Sequence, residues 1–207
     1  MTAMVEWLNV GGDAAVWRSL GLVVADDGTI PLFGTSLRIV EGADEPGLLG
    51  WALSGIDPSL DGELLDGGLA TAVVEPRGPE FAAHGLGASG LDHVVVLTPD
   101  LERTTGAIAA STGCELKRIR DVGPMRQGFH RIGRHGLIVE VVERPEVEEG
   151  PAQFWGLVLN VDDLDAACEF LGSDRVSEPK DAVQPGRRIA TVSREVGLGL
   201  PVALMTT

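Results

Sequence analysis

Between Gly90 and Arg144 the hydrophobic and polar positions change period in a readable order. Leu91 to Leu97 is an apolar run centred on Val94, Val95 and Val96. A β-branched run that is apolar at successive positions predicts a strand buried on both faces. Thr98-Pro99-Asp100 follows, with an N-cap residue, a proline for the first helical position and an acid for the first turn. Leu101, Thr104, Thr105 and Ile108 then keep helical spacing, and Gly113 is placed to stop the helix. Three strands are predicted near Glu115–Arg120, Gln127–Ile132 and Leu137–Glu143. Gly133-Arg134-His135-Gly136 joins the last two as a hairpin-like turn. The predicted unit is βαβββ.

The same order recurs along the chain, and repetition on this scale is read before any local motif. Val5 to Val10 predicts a strand, Ala14 to Leu20 a short helix capped after Gly11-Gly12-Asp13, and Leu22–Ala25, Ile30–Phe33 and Leu37–Val40 three short strands. Leu49 to Ile56 opens a second copy. Asp57-Pro58-Ser59-Leu60 starts a helix carrying Leu60, Leu64 and Leu65, and Ala70–Glu75 is a strand. Pro76 to Ser89 is rich in Gly, Pro and Ala and reads as a linker, as does the acidic stretch Pro145 to Pro151. A fourth copy follows. It has a strand at Phe154–Asn160, a helix capped by Asp162 or Asp163 with Leu164, Ala167, Cys168 and Leu171 on one side, and strands at Arg175–Ser177, Arg187–Ser193 and Leu200–Met205. Leu101 and Leu164, which open the third and fourth helices, lie 63 residues apart. The expected organisation is residues 1–80 as a degenerate pair of short units, and residues 90–207 as a fuller pair, 90–145 and 152–207.

Composition narrows the function. At 44% hydrophobic residues a chain of 207 can build a sizeable core. A net charge of −15 argues against a nucleic-acid backbone or an anionic membrane as partner. Cys114 and Cys168 lack metal-ligand spacing and read as reduced core residues. No stretch is long enough to span a bilayer, and no basic region followed by an apolar run opens the chain, so a cytoplasmic protein is expected. There is no nucleophile elbow or P-loop. Gly85 to Gly90 resembles a phosphate loop but precedes a strand, where no helix N-terminus is available to bind the anion.

Two polar residues interrupt apolar strands: His93 in the first strand of the third unit and Glu140 in its last. A carboxylate in such surroundings is costly unless compensated. Either the strand has a wet face or Glu140 pairs with an arginine such as Arg131, or His93 and Glu140 point into one cavity and touch a metal or ligand.

A strand, a TPDL-type helix start and three strands ending in an IVEVVE-type run resemble the vicinal oxygen chelate superfamily, which includes glyoxalase I, extradiol dioxygenases and bleomycin-resistance proteins. The resemblance covers Gly90–Arg144 well, Gln153–Thr207 fairly and Met1–Glu75 weakly. It implies an α+β fold of repeated βαβββ modules whose curved mixed sheets enclose a cavity, with helices outside. In its metal enzymes a histidine on the first strand and a glutamate on the last are ligands, which His93 and Glu140 match. The 63-residue offset puts Gly156 and Ala203 at those positions of the fourth unit. Trp51 stands near the histidine position of the second unit, Glu6 near that of the first, and Arg38 near the first unit's glutamate position. His130 or His135 would have to complete a metal site, although both also read as solvated hairpin residues, and His84 reads as an exposed linker residue.

The resemblance implies a glyoxalase-like protein of unassigned activity that binds a small molecule between modules without a complete metal site. His93 and Glu140 would be its polar anchors, and Phe129, Trp155 and Met125 its apolar wall. The alternative is a metal-dependent lyase, isomerase or dioxygenase with His93 and Glu140 as metal ligands. No cofactor is required by the first reading; a divalent metal is required by the second. A homodimer is left open by both, and a scaffold without any ligand is a third reading.

Overall fold

The computed structural model describes every residue except 1, 79, 81, 134 and 135. The first half holds β1 (Met4–Gly11), α1 (Ala14–Ser19), β2 (Thr29–Leu32), β3 (Thr35–Val40), β4 (Gly47–Ser54), β5 (Leu64–Leu65) and β6 (Leu69–Val73). The second half holds β7 (Ala88–Thr98), α2 (Leu101–Thr112), β8 (Leu116–Val122), β9 (Met125–Ile132), β10 (Leu137–Glu143), β11 (Gln153–Val161), α3 (Leu164–Leu171), β12 (Lys180–Asp181), β13 (Arg188–Thr191) and β14 (Val202–Thr206). The first set forms a six-stranded sheet in the order β2-β3-β1-β4-β6-β5. The second forms an eight-stranded sheet in the order β12-β13-β14-β11-β7-β10-β9-β8. Both are mixed, and in each the first strands of two units meet antiparallel at the centre, β1 against β4 and β7 against β11. The eight-stranded sheet does not close on itself, because β12 and β8 are edges.

Each sheet has a packed face and an open face, as the two-residue side-chain period requires. Leu8, Leu37 and Leu53 face the core from the smaller sheet, and Val94, Val96, Val139, Val141 and Leu157 from the larger. The helices cover this packed side of the larger sheet. Leu101 and Ile108 of α2 and Leu164, Ala167 and Leu171 of α3 are buried. Gly128 of β9 allows α2 to approach, since a Cβ there would lie 3.0 Å from Thr105 and 3.2 Å from Leu101. Trp51 joins the two sheets, its ring edge-on to Phe154 of β11 at 5.3 Å. No helix among the described residues is long and apolar enough to cross a membrane.

Several sequence expectations change. Leu22–Ala25 is not a strand. Leu22 and Val24 are buried, but the Val23 N–H donates to the His84 ring instead of to a neighbouring strand. His84 is accordingly buried rather than exposed; its Nδ1 accepts from Val23 at 3.0 Å and its Nε2 donates to the Pro31 carbonyl at 2.7 Å. The second unit's helix shrinks to one 3-10 turn, Pro58–Leu60, capped by Asp57. In α2 the cap is Asp100, whose carboxylate accepts from the Arg103 N–H, and Thr98 instead accepts from the Asp100 N–H. Arg175–Ser177 reduces to a single bridge between Val176 and Val192.

Candidate functional site

The site is built on a bulge. Along the β7–β11 ladder, His93 opposes Val158 and Leu91 opposes Leu159, so Asp92 is an extra residue without a partner. A bulge locally resets which way side chains point. Here it brings Asp92 beside His93 on the open face. The parallel β7–β10 ladder sets His93 opposite Ile138 and Val95 opposite Glu140, so Glu140 lies on that face too. The β9–β10 ladder adds Phe129, opposite Glu140, and Gln127, opposite Val142.

These side chains form one row of hydrogen bonds and a His93–Glu140 ion-pair contact. The Gln127 amide donates to Glu140 Oε1 at 2.7 Å, and Glu140 Oε2 lies 3.4 Å from His93 Nε2. His93 Nδ1 lies 2.8 Å from Asp92 Oδ2. The Arg187 guanidinium donates to Asp92 Oδ1 and to Asn160 Oδ1, each at 2.7 Å, and to the Thr206 carbonyl at 2.6 Å. Asp92 thus orients the ring so that Nε2 faces Glu140, the usual function of a carboxylate behind a histidine. Burial pushes the Glu140 carboxyl above its ordinary range, and the His93 and Arg120 charges offset this only in part. Burial also acts against ionised Asp92, but hydrogen bonds from His93 and Arg187 outweigh it and hold that carboxyl below its ordinary range. Two carboxyls on one row are therefore pushed apart, so that one keeps its proton to higher pH and the other loses it early.

The raised Glu140 carboxyl sets a pH dependence. The native state keeps this proton to higher pH than the unfolded chain does. Its stabilising contribution is complete below the ordinary value near 4.5 and is lost as pH rises through the folded value. Glu140→Gln is expected to remove this fall. Urea unfolding of both proteins from pH 4 to pH 8 checks it, and parallel curves would refute it.

The bulge recurs in every unit. The ladders skip Glu6 in β1, Leu49 in β4, Asp92 in β7 and Trp155 in β11. The residues that follow are Trp7, Gly50, His93 and Gly156. Their last-strand counterparts, by ladder register, are Arg38, Ala72, Glu140 and Ala203. The register thus gives the same counterparts of His93 and Glu140 in the fourth unit as the 63-residue offset does. In the first two units the histidine-equivalent positions are Trp7 and Gly50, one residue away from the expected Glu6 and Trp51. A one-residue slip exchanges faces, and Trp51 points into the core with no exposure. In the first unit Arg38 lies over the Trp7 ring at 4.2 Å, a cation–π pair where the third unit has His93 and Glu140.

The remaining sequence candidates divide by face. Phe129 and Met125 share the open face with Glu140. Trp155 is exposed at its bulge, under the Arg144 guanidinium at 5.0 Å. His130 points to the opposite, helix-covered face, where its Nδ1 meets the Cys114 carbonyl at 2.9 Å. Burial lowers its pKa. Glu6 belongs to the other sheet and accepts from Ser54 Oγ at 2.5 Å and the Arg77 N–H at 3.0 Å. His135 lies outside the described residues. Glu140 pairs with His93 and Gln127, not with Arg131. Sequence reasoning missed Asp92, Gln127, Asn160 and Arg144; Arg187, which with Arg188 reads in the sequence as a solvated basic turn, is instead bonded to Asp92 and Asn160.

No protein-family profile and no curated protein sequence matches the chain. Among solved structures, a triple mutant of 4-hydroxymandelate synthase from Streptomyces coelicolor superposes with a TM-score of 0.67 at 13% identity, over 98% of this chain and 92% of that one. The chain has the vicinal oxygen chelate fold. Methylmalonyl-CoA epimerase from Mycobacterium tuberculosis is similar over 58% of this chain and 89% of its own, with a TM-score of 0.50 at 18% identity.

Vicinal oxygen chelate enzymes that use a metal draw ligands from both modules of a pair, and this chain's donor set does not fit that arrangement. His93 and Glu140 supply two donors, and Gln127 adds a neutral amide already bonded to Glu140. Asp92 is occupied by Arg187 and His93. Gly156 and Ala203 offer nothing from the other module. Among the described residues no three His, Cys, Asp or Glu side chains are arranged to hold a metal, whereas a catalytic divalent site usually needs three protein ligands. Gly156 is also barred from carrying a side chain, since a Cβ would lie 2.7 Å from the Pro201 carbonyl oxygen. Gly156→Ala is expected to destabilise by about 1–3 kcal/mol, the cost of overpacking. A loss below about 0.5 kcal/mol in denaturant titration would show that β14 yields and that the position tolerates a side chain.

Proposed function

We propose that the open face of the eight-stranded sheet binds a small organic molecule over His93 and Glu140, held by hydrogen bonds rather than through a divalent metal. The observation that carries this is the row Gln127–Glu140–His93–Asp92–Arg187–Asn160 facing a module emptied to Gly156 and Ala203. One half of the face offers a proton donor and an acceptor side by side. The other half, at Gly156 and Ala203, offers no polar side chain to compete with it. A few convergent polar groups among apolar side chains are the ordinary make-up of a ligand site. Phe129, Met125 and Trp155 supply the wall. Fold likeness alone selects no reaction within so diverse a superfamily, and the reading stops at binding with a proton-transfer-capable pair.

The test is a thermal-shift screen of small organic compounds on the wild type, His93→Ala and Glu140→Ala, with equilibrium dialysis against Zn²⁺, Mn²⁺, Co²⁺ and Fe²⁺. Compounds that stabilise the wild type but neither variant are expected, with metal bound well below one equivalent. Near-stoichiometric metal that disappears in both variants would replace this reading with the metal-dependent one. A screen without any compound that distinguishes the wild type from the variants would leave the face without a ligand role.

A further inference from the structure

The chain carries a net charge of −15, yet arginines gather on the face just described. Arg118 and Arg120 of β8 oppose Phe129 and Gln127, and Arg131 of β9 opposes Ile138. Arg144 follows β10 and lies over Trp155. Elsewhere Arg77 pairs with Glu80, Arg103 with Asp66, Arg126 with Glu102 and Arg188 with Asp165, whereas Arg18 and Arg175 bond to backbone carbonyls and Arg38 lies over Trp7. On the open face only Arg187 is paired, with Asp92. Among the described residues, Arg118, Arg120, Arg131 and Arg144 form no ion pair with a carboxylate.

Arg144 is the most informative of them. Its Nε is buried and has no hydrogen-bond partner. A buried donor left unpaired is costly, and such groups in native proteins call for an explanation. Its guanidinium plane is already fixed against an indole, so little freedom is lost when it binds. By register Arg120 stands opposite Gln127, which is bonded to Glu140, and Arg144 directly follows the strand that carries Glu140, so both lie beside it.

Resting on the binding reading above, we propose that the ligand carries an organic oxyanion, a carboxylate or a phosphate ester, held by Arg120 and Arg144 beside Glu140, with an attached flat group against Trp155. Arginine forks match the geometry of either oxyanion. Trp155 is 38% exposed and Arg144 covers one side of its ring, so a planar group would take the exposed surface that Arg144 leaves. The acidic remainder of the surface then serves selectivity, since it repels anions everywhere except at this face.

The experiment is an NMR titration at low salt with benzoate, phenyl phosphate and the neutral isostere benzamide. It follows the Trp155 indole N–H and the Arg144 Nε–H. Benzoate or phenyl phosphate is expected to shift both signals with at least tenfold tighter apparent affinity than benzamide, and the stronger of the two identifies the oxyanion. Arg144→Gln and Arg120→Gln are each expected to weaken binding at least tenfold. Arg144→Lys, which keeps the charge but not the fork, should weaken it less than Arg144→Gln. Arg175→Gln, at a remote arginine bonded to Ser19, should leave it unchanged. Benzamide shifting the same signals as strongly as the anions would overturn the oxyanion while leaving small-molecule binding intact. Equal losses in Arg175→Gln and Arg144→Gln would overturn it as well. If no compound shifts either signal, both this proposal and the binding reading fail.

Discussion

Replacing Trp51 by alanine is expected to cost about 3–5 kcal/mol, the range for emptying a large aromatic from a core. Trp51 has no exposed surface. Its Nε1 donates to Thr71 Oγ1 at 2.8 Å, and Thr71 passes the bond on to the Leu69 carbonyl at 2.9 Å. Its ring meets Phe154 edge-on across the junction of the two sheets. The truncation therefore removes burial, a buried hydrogen bond and an aromatic contact at once. In a chain of 207 residues a loss of this size lowers the melting temperature on the order of 10 °C. Trp51→Phe keeps most of the packing and loses the hydrogen bond, so it should cost about 1–2 kcal/mol. Because the contact spans both sheets, hydrogen-exchange protection should fall in β11 as well as in β4. Protection lost in β4 alone would show that the six-stranded sheet unfolds as a separate unit.

The fold was legible where local signals were long and agreed with one another. The third and fourth units have helices of ordinary length, strong caps and apolar strands, and β10 occupies the residues its pattern marked out. The first two units were harder to read, because their strands are short and their helices shrink to six and three residues. A run such as Leu22–Ala25 has strand-like composition, yet its backbone is taken by a histidine far along the chain. Glu140 and His93 stood out because they break apolar runs. Their partners did not, since Gln127 looks like any polar strand residue and Arg187 lies 95 residues from Asp92. In the first two units the histidine-equivalent positions fall at Trp7 and Gly50, one residue from Glu6 and Trp51, because each first strand carries an extra residue at its bulge. Aligning VEWLNV, LLGWAL, LDHVVV and FWGLVL on their second residue restores the register, so that signal was present. Parity would also have set His130 aside, because it sits next to the residue that faces Glu140.

Asp92→Asn is expected to cost about 3 kcal/mol, and to do so from a position that an inspection of charges alone would pass over. The carboxylate sits at a bulge with a side chain only 8% exposed, against an Arg187 side chain 20% exposed. Removing one partner of a buried pair strands the other charge, which typically costs 3–5 kcal/mol. Arg187 keeps Asn160 and the Thr206 carbonyl, which places the expected loss at the lower end. The sign with pH is opposite to that of Glu140. Asp92 is held below its ordinary value of 3.8, so the wild type's advantage is complete above that value and disappears as pH falls through the folded one. Unfolding curves of the two proteins should therefore converge in acid and separate at neutral pH. An advantage that persists undiminished at pH 2 would show that the loss came from the changed backbone of the bulge and not from the charge. At the site, His93 would lose the carboxylate that orients its ring, so ligands that depend on His93 should bind more weakly to Asp92→Asn even at temperatures where it is fully folded. If binding is untouched in the folded variant, the row is a structural device and His93 is oriented by Glu140 alone.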